Sequence, residues 1–128
     1  MVIDTSAAVA ILLDEPERRG FNEKIEADPR RLMSAVSFVE TALVIETRLG
    51  EAGGRELDLL LYRADVEVVP VDPDQAEVAR RAFRRYGKGR HPAGLNFGDC
   101  FAYALVKTSG EALLFKGDDF GLTDVIAA

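Results

Sequence analysis

The chain has 128 residues, 48% of them hydrophobic, which suits a single domain spanning 1–128 with a real core. A net charge of −6 excludes a protein held on nucleic acid by overall charge, and one cysteine excludes an internal disulfide and fits a reducing cytoplasm. No apolar run nears the ~20 residues that a membrane helix needs, and the start, MVIDTSAAVAILLDEPE, lacks the basic region of a secretory leader.

Met1-Val2-Ile3 predicts a buried strand. Asp4-Thr5-Ser6 supplies cap chemistry for a helix over AAVAILLDE. A second helix is expected from Glu17 to Ala27, ended by Pro29, then a strand over Leu32–Ala35. Ser37 and Glu40 have capping-box spacing and predict a helix opening there and running to Leu49. Gly50, Gly53 and Gly54 mark a turn, followed by a helix from Arg55 to Ala64. Val66–Val71 is the clearest strand. Asp72-Pro73 starts a helix through Arg85, and Gly87–Leu95 reads as loop. LNFGDCFAYALV opens a helix to Thr108 that Gly110 ends. Ala112–Phe115 is a short buried strand, and Asp124–Ile126 a short edge strand.

Strands alternating with helices predict an α/β fold: a three-layer α/β/α sandwich around a short, mainly parallel sheet. In such folds the ligand site lies at the carboxyl ends of the strands. Asp4, Asp118 and Asp119 follow strands directly, and Glu40 begins the helix after the second strand. Asp99 reaches that edge if the helix from Asp72 runs to the opposite edge and the ten-residue loop returns, a reach of roughly 33 Å.

Each acid has an ordinary reading as a helix cap or turn residue. Capping does not predict that they converge. Clustered carboxylates repel unless protonated or neutralised, and no Cys/His set for zinc is present; His91 reads as a loop residue. Carboxylate oxygens suit Mg²⁺ or Mn²⁺. A basic run offsets this edge: Arg80, Arg81, Arg84, Arg85, Lys88 and Arg90 stand in RRAFRRYGKGRH without an acid.

The stretches VIDTSAAVAILLDEPE, SAVSFVETALVIE, GLNFGDCFAYAL and LLFKGDDF resemble, in this order, the PIN-domain ribonucleases, and most closely the VapC-type toxins of type II toxin–antitoxin systems. The resemblance implies the same α/β/α sandwich and an acidic quartet for Mg²⁺ or Mn²⁺. By position the quartet is Asp4, Glu40, Asp99 and either Asp118 or Asp119, with Asp118 preferred as nearer the strand end and Asp124 next in line. It implies endoribonuclease chemistry by metal-activated water, leaving 5′-phosphate and 3′-hydroxyl ends. The basic run and Lys116 are then expected to hold the RNA backbone. A small VapB-like antitoxin is the expected partner, with a homodimer and a toxin–antitoxin hetero-oligomer as assemblies. The apolar helices at Phe38–Leu49 and around Leu57, Leu59, Leu60 and Leu61 offer surfaces for these. Two other readings stand beside it: a receiver-type signalling domain, for which only Asp4 follows the first strand where an acid pair is needed, and a catalytically silent PIN fold kept for binding.

Overall fold

A computed structural model describes residues 1–128. In chain order the elements are β1 (Val2–Ile3), α1 (Thr5–Leu12), α2 (Arg18–Ala27), β2 (Leu32–Ser34), α3 (Ala35–Arg63), β3 (Glu67–Val69), α4 (Pro73–Tyr86), α5 (Phe97–Ser109) and β4 (Leu113–Leu114). The four strands form one sheet in the order β3-β2-β1-β4, and every pairing is parallel.

Successive strand residues point to opposite faces. Val2, Leu32 and Leu113 pack with α4 and α5 residues such as Ala82, Tyr103 and Leu105. Their neighbours Ile3, Met33 and Leu114 pack on the other side with Ala7 and Ile11 of α1 and Phe21 and Ile25 of α2. Helices thus cover both faces, which is why β1, β2 and β4 are buried throughout. β3, the clearest strand by sequence, is the edge strand, and its side chains are the least buried of the four. No helix is long and apolar enough to cross a membrane.

Three local expectations are corrected. α3 begins at Ala35, not Ser37: the Ser34 hydroxyl accepts from the Val36 N–H at 3.2 Å and is the cap. Ser37 is buried within the first turn, where its carbonyl accepts from the Thr41 hydroxyl at 2.7 Å. The glycine turn shrinks to one residue. Gly50 takes φ 65°, open to glycine at little cost, while Gly53 and Gly54 already belong to the helix that resumes to Arg63. The expected edge strand at Asp124–Ile126 is a single bridge, Leu113 to Ala127. Among the leucines considered for partner surfaces, Leu57 is buried and Leu60 and Leu61 pack against the core; Leu59 is exposed.

The route to Asp99 also differs. The Leu95 N–H donates to the Tyr86 carbonyl and the Lys88 N–H to the Leu95 carbonyl, both at 2.9 Å. The loop 87–95 therefore leaves and returns to one place instead of crossing the molecule. α5 starts beside the end of α4.

Candidate active site

Asp4 ends β1 and caps α1. Its backbone N–H donates to the Leu114 carbonyl at 3.0 Å, extending the sheet by one bond. Its carboxylate accepts from the Ser6 N–H at 3.0 Å and from the Ser6 hydroxyl at 2.6 Å. The residue is 3% exposed. Burial raises its carboxyl above the ordinary range; the Ser6 hydrogen bonds oppose that shift, and the Glu40 charge adds to it. The Ser6 hydroxyl also accepts from the Lys116 N–H at 2.9 Å, tying the head of α1 to the end of β4.

Asp99 sits in the first turn of α5. It forms a complete capping box: its N–H donates to Asn96 Oδ1 at 2.9 Å, and its Oδ2 accepts from the Asn96 N–H at 3.0 Å. A cap of this kind normally favours the charged form. Here the carboxyl is pushed up to about 6, first by burial and then by the charges of Asp4, Glu40 and Asp119, against the Asn96 hydrogen bond. Burial outweighs the capping hydrogen bond, and the neighbouring acids add to the rise.

Glu40 projects from α3 onto α5. Its carboxylate lies against Gly98, where an added β-carbon would collide with both oxygens. Asp118 and Asp119 are exposed in the turn after β4, and the Asp118 carbonyl accepts from the Gly121 N–H at 3.1 Å. Of this pair it is the Asp119 charge that bears on Asp99. That coupling favours Asp119, against the preference drawn from the strand end. Asp124 lies elsewhere: it accepts from the Tyr103 hydroxyl at 2.8 Å and pairs with Lys107 at 2.8 Å.

The donor set is carboxylate oxygen only, which suits Mg²⁺ or Mn²⁺. No three of these acids close to a ready-made cage. The fit rests on the chemistry of the donors: oxygen-only ligands, with Asp4 and Asp99 raised first by burial and further by neighbouring acids.

The basic residues are less uniform than their sequence. Arg80 contacts Glu77 at 3.7 Å; Arg85 lies 4.7 Å over the Tyr86 ring and 3.8 Å from Asp124; Arg90 stacks 5.4 Å over Phe83. Arg81, Arg84 and Lys88 are exposed. Lys116 is held by Glu15 at 3.3 Å and Glu17 at 3.2 Å, so it is not a free cation. Two residues at this edge escaped sequence reasoning. Ser6 was visible only as cap chemistry, and Gly98 carried no signal, because its role depends on α3 crossing α5.

A model of the PIN domain matches residues 1–125. Ribonuclease VapC of Mycolicibacterium smegmatis is 65% identical over 127 residues, covering 99% of this chain and 98% of that protein. Among solved structures, VapC20 of Mycobacterium tuberculosis, a toxin that cleaves the sarcin–ricin loop, matches with a TM-score of 0.81 at 18% identity, over 99% of this chain and 97% of that one. A chain of a toxin–antitoxin complex from Klebsiella pneumoniae matches with a TM-score of 0.72 at 17% identity, over 99% and 95%.

Proposed function

The chain belongs to the PIN-domain family, in its VapC branch, and from that premise we propose that it is the toxin ribonuclease of a type II toxin–antitoxin pair, hydrolysing RNA phosphodiester bonds with Mg²⁺ or Mn²⁺ at its acidic edge. The observation that carries this reading is that the acids meet at one edge: the Glu40 carboxylate lies against Gly98, the neighbour of Asp99, and the charges of Asp4, Glu40 and Asp119 all act on Asp99. A receiver-type domain does not fit that membership. A silent binding module would have no use for acids kept at such electrostatic cost.

The proposed ligands are Asp4, Glu40, Asp99 and an acid of the Asp118–Asp119 pair. When bound, the metal lowers the pKa of a coordinated water to near neutrality and offsets charge on the phosphate. The protein's share is orientation. Ser6 fixes one Asp4 oxygen, and the capping box fixes one Asp99 oxygen; the second oxygen of each carboxylate would be the one to hold a metal. Gly98 lets Glu40 approach. Arg80, Arg81, Arg84, Arg85, Lys88 and Arg90 are assigned to the RNA backbone, which an overall charge of −6 repels. A small VapB-like antitoxin is the proposed partner, in a hetero-oligomer that includes a toxin homodimer.

The test is RNA incubated with the purified chain after chelation, with Mg²⁺ or Mn²⁺ added back. Cleavage restored only by the metal supports the proposal. Cleavage that persists in chelator, or none under any metal, removes it.

A further inference from the structure

Lys116 stands where β4 passes into the acid-bearing loop, and three segments meet on it. Its ammonium contacts Glu15 at 3.3 Å and Glu17 at 3.2 Å, both in the connection between α1 and α2. Its backbone N–H donates to Ser6 Oγ at 2.9 Å, and Ser6 Oγ donates to Asp4 at 2.6 Å. The Glu17 Oε2 atom is buried and makes no hydrogen bond; the Lys116 ion contact is what it has. One lysine shared by two glutamates leaves a local sum of −1, which offers nothing to a phosphate. A role as an RNA clamp is therefore a poor use of this residue.

The loop needs an anchor. Gly117 follows with φ 100°, a conformation open to glycine, and Asp118 and Asp119 are exposed. The next buried side chain is Phe120. Between these points lies Asp119, whose charge and that of Asp99 repel each other. Something must hold the near end of the loop against that repulsion.

We infer that Lys116 is a positioning residue: held by Glu15, Glu17 and Ser6, it fixes the loop so that its acid joins the acidic edge, and it thereby sets the affinity of that edge for a divalent cation. The inference rests on the metal-binding reading above.

The experiment uses the full chain and measures Mn²⁺ binding without RNA, together with kcat and the KM for RNA. The variants are Lys116→Met, Lys116→Arg and the double Glu15→Gln/Glu17→Gln, each checked by thermal melting. Simple electrostatics says that deleting a cation near the site tightens Mn²⁺. Positioning says the opposite. The expected result is that Lys116→Met weakens Mn²⁺ about tenfold, the scale of losing a group that orients a ligand. The double variant should weaken it likewise, Lys116→Arg should largely restore it, and the KM for RNA at saturating metal should stay within about twofold. If Lys116→Met does not fold, Lys116→Gln takes its place, because losing two acids would weaken Mn²⁺ in the double variant by charge alone. Unchanged or tighter Mn²⁺ in Lys116→Met, or in Lys116→Gln where that replaces it, overturns the inference. So does a lower KM for RNA in the double variant with metal affinity unchanged, which would make the freed lysine an RNA contact. Wild-type protein that binds no Mn²⁺ overturns the inference together with the metal reading beneath it.

Discussion

The carboxylate of Glu40 occupies the space that a β-carbon on Gly98 would take. Gly98 lies inside the first turn of α5 and is not among the glycines with positive φ. Alanine there meets no backbone penalty and gains up to about 1 kcal/mol of helix propensity. Its cost falls on Glu40, which must move aside. Gly98→Ala should therefore melt no lower than wild type yet lose at least about tenfold in metal-dependent RNA cleavage. Wild-type cleavage by a folded Gly98→Ala would mean that the position of Glu40 does not matter.

Removing an acid should abolish cleavage and leave the fold. Glu40→Ala and Asp99→Ala test this directly. Asp4 also caps α1, and losing a cap costs about 1 kcal/mol. Asp4→Asn keeps the cap acceptor and is the cleaner variant. Circular dichroism should match wild type for all three, with RNA cleavage at background. Cleavage at the wild-type rate by any one removes that residue from the site.

The Asp99 carboxyl gives a pH dependence of stability. It titrates at about 6 in the folded chain against 3.8 ordinarily. Between those values the folded chain keeps a proton that the unfolded chain has released, so stability falls as pH rises through the window. Water screens this partly exposed group, so the cost at pH 7.5 is about 1 kcal/mol. Metal-free Asp99→Asn should then melt about 3–5 °C above wild type at pH 7.5, with the gain gone near pH 4. Saturating Mn²⁺ should reverse the order. Equal melting at both pH values would show that the carboxyl is not strained.

Much of this was legible in the sequence, and the misses have physical causes. Asp4 and Asp72 were readable at helix starts because a cap is a local matter of one side chain and the next turn. Ser37 was misread because Ser34 competes for the same role three residues earlier, and burial decided between them. Asp99 was placed at the correct edge by a wrong route, since the Tyr86–Leu95 bond that closes the loop has no sequence signature. Lys116 looked like a free cation because its partners, Glu15 and Glu17, lie about a hundred residues away.

The adjacent acids of the loop can be separated. Asp119 is the one of the two whose charge raises Asp99. Asp119→Asn should lower the Asp99 pKa and weaken Mn²⁺ more than Asp118→Asn does, by NMR titration and by metal binding. The reverse ranking would restore Asp118 as the fourth ligand.

The central claim is that these acids direct a metal-bound water at an RNA phosphodiester. The most direct measurement is the chemistry of the cut ends, read on end-labelled RNA after cleavage with Mn²⁺, with Asp99→Asn as control. Attack by water with the 3′ oxygen as leaving group leaves a 5′-phosphate and a 3′-hydroxyl, and the control should leave the RNA intact. A 2′,3′-cyclic phosphate with a 5′-hydroxyl, or equal cutting by Asp99→Asn, would contradict it.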